Sequence, residues 1–217
     1  MDRFPYIRTL LKVRLKELKK VRTIVDVGAY TGEFLRDLSH DWPDSIIHAI
    51  EPDDKCAEEI RQISLVHSNI KLHRLAISSK DGEVTLYSEN KDGPSASNTI
   101  YEKLLDHREL TIQSQIPCMT FKSFCDTKGI DDIDLLILNA EGAEYEMFEC
   151  DKEYITKSKI IDLSLHGKSF FFNTKYYAQK RLDINNFLIG SGYKIIYGDV
   201  ITNLNLAPNH IRQVWIS

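Results

Sequence analysis

Two acidic residues and a pair of glycines have the types and the spacing of a nucleoside-binding site. Asp26 lies near the end of an apolar run, and Gly28 and Gly32 follow just as a helical pattern begins. Glycines let the backbone turn tightly and approach a ligand closely, and a helix that begins here offers free N–H groups to a polar ligand. The second apolar run ends at Glu51, where an acid can accept hydrogen bonds from both hydroxyls of a ribose.

The spacing of the glycines separates the nucleoside cofactors from one another. A dinucleotide site requires G-x-G-x-x-G, but Tyr30 takes the place of the second glycine, which disfavours NAD and FAD. The glycine turn and the acid at residue 51 together favour S-adenosylmethionine. The alternative interpretation of the same residues is a plain tight turn between a strand and a helix.

Three later blocks follow the glycine turn in order. They are residues 75–87 (LAISSKDGEVTLY), 116–124 (IPCMTFKSF) and 133–146 (IDLLILNAEGAEYE). This succession resembles the FkbM-like family of S-adenosylmethionine-dependent methyltransferases, from about residue 22 to about residue 166. The family usually carries Asp at the position of Asn139, so that this chain lacks a charge at that point.

The order of the apolar runs predicts an α/β fold in which strands alternate with helices. The predicted strands are residues 21–27, 46–50, 70–76, 83–87, 134–138, 160–165, 193–197 and 213–216, and the predicted helices are 31–39, 53–64, 120–128, 176–190 and a segment that follows strand 134–138 and carries Ala140, Ala143, Met147 and Cys150 on one side. Right-handed crossovers then give a doubly wound, Rossmann-like sheet. The family resemblance implies the seven-stranded class I methyltransferase sheet, mostly parallel with the last strand antiparallel.

Residues 1–20 are predicted to form an amphipathic, basic N-terminal helix, ahead of a methyltransferase domain in residues 21–217. Residues 1–22 hold eight of the 28 Lys and Arg and two of the 32 acids, so this piece carries a net charge of about +6 and the rest about −10. Apolar residues recur at helical spacing from Phe4 to Leu18. This stripe either packs on the domain or a second copy, or docks on an anionic membrane.

Composition narrows the partners and the location of the chain. An acidic body argues against a broad nucleic-acid groove, because such a groove needs a basic stripe. No apolar run approaches the roughly 20 residues that cross a bilayer, and the first residues lack a secretion signal, so the predicted location is cytoplasmic. The four cysteines, at positions 56, 118, 125 and 150, lack zinc-site spacing and are expected to be buried free thiols.

Ligands of open α/β sheets bind beyond the carboxyl ends of the strands, so the strand tips define the candidate cofactor site. The expected cofactor contacts follow four predicted strands. They are Asp26, Gly28, Ala29, Tyr30 and Gly32 at the tip of strand 21–27, Glu51 and Pro52 at the tip of 46–50, Ala76 and Ile77 at the tip of 70–76, and Asn139 at the tip of 134–138. Asp26 is expected to meet the amino group of the cofactor, directly or through water. Ala76 and Ile77 are apolar enough to flank adenine.

Methyl transfer to an aliphatic hydroxyl requires alignment of the acceptor and removal of its proton. His166, just past the predicted strand 160–165, is the candidate base because imidazole titrates near neutrality. Glu141 is expected to contact the acceptor or to assist His166, and Asn139 completes the catalytic set. The alternatives are a histidine that is merely hydrogen-bonded and a glutamate placed by the helix dipole. No metal is expected, since neutral Asn139 weakens a hard-cation site.

Aromatic residues and a polar loop are predicted to form a substrate lid. Phe170–Phe172 with Tyr176 and Tyr177 follow His166, and residues 88–98 are rich in loop-forming types. Aromatics of this density are alternatively core or interface residues.

The leading hypothesis is an S-adenosylmethionine-dependent methyltransferase that methylates a hydroxyl of a small molecule or a glycan. Asn139 in place of Asp motivates one alternative, a catalytically inactive partner subunit that keeps the fold. The basic N-terminal helix motivates another, a nucleic-acid methyltransferase.

Overall fold

A computed structural model describes residues 5–88, 94, 96, 98–101, 111–166, 174–198 and 210–217. The helices are α1 (Pro5–Glu17), α2 (Glu33–Asp41), α3 (Asp54–Val66), α4 (Phe121–Lys128), α5 (Glu144–Cys150), α6 (Lys152–Ile155) and α7 (Thr174–Gly190). The strands are β1 (Thr23–Val27), β2 (Ile46–Ile50), β3 (Ile70–His73), β4 (Ala76–Ile77), β5 (Gly82–Ser88), β6 (Thr111–Met119), β7 (Ile133–Leu138), β8 (Ser158–His166), β9 (Lys194–Tyr197) and β10 (His210–Ile216).

Seven strands form the main sheet in the order β3-β2-β1-β7-β8-β10-β9. β10 runs antiparallel to both of its neighbours, and the other pairings are parallel. The predicted doubly wound, mostly parallel sheet with its last strand antiparallel is therefore confirmed. The strand order reverses between β1 and β7, and open α/β sheets bind ligands in the crevice at such a switch point.

The central strands are buried on both faces, which explains their nearly continuous apolar runs. Side chains alternate between the faces of a strand, and the core divides accordingly. Val25 and Leu136 belong to one buried cluster, whereas Ile24 and Leu135, their immediate neighbours in the chain, belong to another. The helices cover both clusters, so the strand tips are held by a rigid, packed sheet.

The apolar stripe of α1 packs on the domain itself. Ile7, Leu11 and Leu15 are fully buried in the same cluster as Ile24 of β1. Two cations on the polar side of α1 face α2, where Arg8 pairs with Glu33 at 3.7 Å and Lys12 with Asp41 at 2.6 Å. The stripe that membrane docking requires thus lies in the core. In the described part of the chain, no helix is long and apolar enough to span a bilayer.

A three-stranded sheet with the order β4-β6-β5 was not predicted. The single strand expected over residues 70–76 is in fact two strands, because the chain turns after His73 and Ala76 pairs with β6. β6 gave no clear pattern, since it mixes polar residues with Pro117, which cannot donate a ladder hydrogen bond and argues against a central strand, although β6 is the central strand of this sheet.

Three of the four cysteines are buried, as the sequence predicted, and Cys150 is exposed. Cys150 is the last residue of α5, where the helix leaves the core and a side chain on the apolar stripe reaches solvent.

Candidate functional site

The carboxyl ends of β1, β2 and β7 open onto one pocket of about 710 Å³, including open space at its mouth. Eight of the twelve predicted site residues line the pocket, namely Gly28, Tyr30, Glu51, Pro52, Ala76, Ile77, Asn139 and Glu141. Asp26, Ala29, Gly32 and His166 do not line it.

Gly28 joins three strand tips at the floor of the pocket. Its φ is 83°, a value that favours glycine, and an added Cβ would lie 2.1 Å from the backbone oxygen of Asn139. Its N–H donates to the oxygen of Ile50 at 3.0 Å. A side chain at this position would therefore push the tip of β7 away from the tip of β1.

Gly32 serves the packing of two helices. It caps the N-terminus of α2 with a φ of 74°, and an added Cβ would lie 3.0 Å from Ile60 and 3.2 Å from Ile63 of α3. Its N–H donates to the oxygen of Ala29, which is partly buried against the core. The second glycine of the turn thus lets α2 pack closely on α3 instead of lining the pocket.

Glu51 is a buried carboxylate that the backbone fixes in the wall of the pocket. Oε2 accepts from the N–H of Tyr30 at 2.8 Å, and Oε1 accepts from the N–H of Asp53 at 2.9 Å. Burial raises the pKa of Glu51 to about 8, although these two N–H groups oppose the rise. Each oxygen keeps a further lone pair, so the carboxylate can accept two hydroxyl hydrogens from a ligand.

Asp26 lies within the sheet, one residue before the end of β1, in register with Ala49 and Ile137 of the neighbouring strands. Its carboxyl group is buried, and burial, followed by the nearby charge of Asp162, raises its pKa to about 7. Asp26 thus has a different environment from Glu51, because it does not face the pocket.

The tip of β7 turns through two residues with positive φ before α5 begins. Glu141 has a φ of 47° and Gly142 a φ of 110°, so the helix starts at Glu144 and excludes Ala140 and Ala143, which the sequence placed on it. The fully buried carboxylate of Glu144 clamps this turn, since it accepts from the N–H of Ala140 at 2.7 Å and of Gly142 at 2.8 Å.

His166, the last residue of β8, lies between two carboxylates. Its Nε2 is 3.1 Å from Oε1 of Glu141, and its Nδ1 is 3.2 Å from Oε1 of Glu144. Burial disfavours a charged imidazole, but the two carboxylates outweigh it and raise the pKa of His166 to about 10. The ring is therefore charged near neutral pH and donates from both nitrogens. This arrangement suits a residue that positions Glu141 better than one that takes up a proton.

Three residues of this network were not predicted from the sequence. Glu144 stands in the Glu-Gly-Ala-Glu block, whose second acid was a signal. Tyr145 follows it and donates to the backbone oxygen of His166. Arg181 of α7 gave no signal, yet it is buried and donates to the hydroxyl of Tyr145 at 2.9 Å and to the oxygen of Leu165 at 3.0 Å. Together they fix the end of β8.

The predicted lid divides into several parts. Tyr177 packs edge-on against Tyr145 with ring centroids 5.0 Å apart, and neither Tyr176 nor Tyr177 lines the pocket. Ala96 and Asn98, from the predicted polar loop, do line it. Phe170–Phe172 and most of the polar loop lie outside the described residues. Within the described ranges, no group of three His, Cys, Asp or Glu side chains is placed to hold a metal ion.

Comparison with known proteins gives a family and a fold. Residues 26–195 match the family model of the methyltransferase FkbM domain. A 2-O-methyltransferase, NoeI of Sinorhizobium fredii, is 25% identical over 147 residues, which are 64% of this chain and 60% of that protein. The chain thus spans less than two thirds of the length of this curated relative.

Two solved structures share the fold at low sequence identity. A candidate rRNA methylase from Clostridium thermocellum superposes with a TM-score of 0.56 at 9% identity and covers 100% of this chain and 96% of its own. WbdD, solved with a kinase inhibitor, gives a TM-score of 0.53 at 12% identity over 100% of this chain and 41% of its own. The strand order, the glycine turn and the family match over residues 26–195 agree: the chain belongs to the FkbM methyltransferase family.

Proposed function

We propose that this chain is an S-adenosylmethionine-dependent methyltransferase that methylates a hydroxyl group of a small molecule or a glycan. The observation that carries the proposal is Glu51, a carboxylate held by two backbone N–H groups in the wall of a pocket that also contains the Gly28 turn. An acid at the tip of the second strand is where α/β folds bind a ribose.

The residues of the pocket fit the adenosine part of the cofactor. Gly28 leaves room for close approach to the backbone, and Glu51 offers acceptors for the two ribose hydroxyls. Pro52, Ala76 and Ile77 provide apolar surfaces suited to a purine ring. S-adenosylmethionine supplies, when bound, a methyl group on a sulfonium that an oxygen nucleophile can attack.

Glu141 is the proposed acceptor of the hydroxyl proton. It lines the pocket, and its Oε2 has no hydrogen-bond partner among the described residues, while Oε1 is paired with His166. His166 is the proposed positioning residue, because its charge and its fixed ring hold Glu141 in place. Asn139 lines the same part of the pocket, and its carboxamide can donate to or accept from the substrate hydroxyl.

The proposed acceptor class rests on the relative and on the charge of the chain. NoeI is named a 2-O-methyltransferase, which supports oxygen as the atom that receives the methyl group. The acidic body of the chain disfavours a nucleic-acid substrate.

The test combines calorimetry with a transfer assay. We expect S-adenosylhomocysteine to bind the protein and labelled S-adenosylmethionine to methylate hydroxyls in a panel of glycans and small alcohols, with turnover unchanged by a chelator. Transfer to RNA alone would favour the nucleic-acid alternative. Binding without transfer to any acceptor would favour a partner subunit, and absence of binding would refute the proposal.

A further inference from the structure

One carboxamide in the pocket wall has both of its polar atoms buried and unsatisfied. Asn98 lines the pocket, and neither its Oδ1 nor its Nδ2 has a hydrogen-bond partner among the described residues. Buried polar groups in native proteins are almost always paired, so an exception of this kind requires an explanation. A ligand in the pocket that offers one donor and one acceptor would supply it.

The segment that carries Asn98 is anchored on both sides of the pocket. The backbone N–H and carbonyl of the next residue, Thr99, both pair with Tyr87 of β5, at 3.0 and 2.8 Å. The hydroxyl of Thr99 donates to the backbone oxygen of Glu141 at 3.1 Å. The backbone next to Asn98 is therefore fixed by the small sheet and by the tip of β7 before any ligand binds.

The surroundings of Asn98 indicate which part of the ligand it meets. Leu86 of β5 and Ile77 of β4 line the pocket from the same small sheet, and Ile100 follows in the chain. Apolar side chains beside a carboxamide match a flat heterocycle that has polar atoms only on its edge. Adenine is such a group, since its amino group donates and the adjacent ring nitrogen accepts, and a carboxamide pairs with both at once.

We propose that the carboxamide of Asn98 binds the edge of the adenine ring and thereby selects the base of the cofactor. This inference rests on the proposed function. It assigns a specificity role to a residue that lies on no tip of the main sheet, and it gives the small sheet a function as the wall that reads the base.

The test measures the affinity for S-adenosylhomocysteine of the wild type and of Asn98→Leu, which keeps the approximate shape and removes both polar atoms. We expect the variant to bind about tenfold or more weakly, since a bidentate carboxamide contact with adenine is worth about that factor or more. We also expect the free variant to be at least as stable as the wild type in thermal unfolding, because a buried unsatisfied amide is removed.

A ligand change and a matched variant sharpen this test. The analogue that carries purine in place of adenine lacks the amino group, so it should lose affinity for the wild type and much less for Asn98→Leu. Asn185 of α7 is also buried without a described partner and does not line the pocket. Asn185→Leu should therefore leave the affinity for S-adenosylhomocysteine unchanged.

Different outcomes separate the two proposals. If the wild type does not bind S-adenosylhomocysteine, the proposed function fails. If the wild type binds and Asn98→Leu binds equally well, or if only the KM of the acceptor changes, the role of Asn98 in adenine binding is refuted and the proposed function stands.

Discussion

Pocket side chains are held in position by different interactions at the tips of β1 and β2 and at the tips of β7 and β8. At the first pair, backbone groups do the positioning, since N–H groups hold Glu51 and the missing side chain of Gly28 lets the strand ends meet. At the second pair, ionised side chains do it, because His166 lies between Glu141 and Glu144. The half of the pocket around Glu51 is thus held by backbone groups and is called the backbone half, and the half around Glu141 is held by a charge network and is called the charge half.

Both halves contain a strained residue at the turn. Tyr30 has a φ of 52° and Glu141 a φ of 47°, in the left-handed region that costs a residue other than glycine roughly 1–3 kcal/mol. Both residues line the pocket. Strain of this kind collects at functional sites, where the surrounding structure is firm enough to impose it.

The pKa values of Glu51 in one half and His166 in the other are both raised, with opposite effects on the charge. Burial makes the carboxyl group of Glu51 harder to ionise, whereas the carboxylates around His166 make its imidazole harder to neutralise. A ligand that donates to Glu51 therefore changes its charge state near neutral pH. His166 keeps its charge over the same range.

The largest expected effect comes from Gly28→Ala, which places a side chain between the tips of β1 and β7 in the backbone half. Its Cβ would meet the oxygen of Asn139, and a positive φ is unfavourable for alanine. We expect a loss of about 5 kcal/mol in the free energy of unfolding, about 2 from the backbone conformation and about 3 from the clash. Urea denaturation measures it, with the slope checked for two-state behaviour.

Gly192→Ala is the matched control for this substitution. Gly192 has a φ of 90°, but an added Cβ would meet nothing within 4 Å. It should lose only the conformational part, about 1–2 kcal/mol. Equal losses at the two positions would show that the contact between the tips of β1 and β7 is not tight. The claim that Gly28 lets these strand ends meet would then be refuted.

The next largest effect comes from His166→Gln, which removes the positive charge between Glu141 and Glu144. Removing one partner of a buried ion pair costs about 3 kcal/mol or more. The folded pKa of about 10 exceeds the ordinary value of 6.5, so the stabilisation is complete below pH 6.5 and is lost as the pH rises towards 10. Urea denaturation at pH 6, 8 and 9.5 should show the gap between wild type and variant closing.

His48 provides the control for the pH dependence. Burial lowers its pKa from 6.5 to about 4, so it is neutral in the folded protein and almost entirely neutral in the unfolded protein above about pH 7.5. The gap between the wild type and His48→Gln should therefore stay constant between pH 8 and 9.5. A constant gap for His166→Gln as well would contradict the charged state of His166 and with it the network.

The smallest expected effect is the release of a proton on cofactor binding. The pKa of Glu51 is about 8 in the free protein, and ribose hydroxyls favour the ionised form because they donate to it. Affinity for S-adenosylhomocysteine should therefore rise with pH up to about 8, by at most about tenfold per pH unit. Calorimetry in buffers of different ionisation enthalpy counts the proton at pH 7.

Two variants identify the group that titrates in this experiment. Glu51→Gln should bind more weakly and show no proton release. Asp26, with a pKa of about 7, titrates in a nearby range without facing the pocket, so Asp26→Asn should keep the dependence near pH 8. If the pH dependence of the affinity disappears in Asp26→Asn and persists in Glu51→Gln, Glu51 is not the group that titrates on binding. The proposal that Glu51 binds the ribose is then refuted.

The sequence predicted the backbone half better than the charge half. Gly28 and Glu51 are local signals, because each follows directly on an apolar run and the sheet topology brings the two tips together. Glu144 and Arg181 act through contacts between residues far apart in the chain, and a buried arginine on a helix looks like any surface arginine in a sequence. The position of Asn98 depended on the small sheet, whose strand β6 has a weak pattern.

The strand order has a consequence for the biosynthesis of the protein. β9 reaches the main sheet only through β10, which inserts between β8 and β9 although it follows both in the chain. Until residues 210–216 have left the ribosome, β8 presents an unpaired edge and β9 has no neighbour in the sheet. Such edges invite pairing with other chains, so the nascent polypeptide exposes an aggregation-prone edge at β8 until β10 has emerged and paired with it.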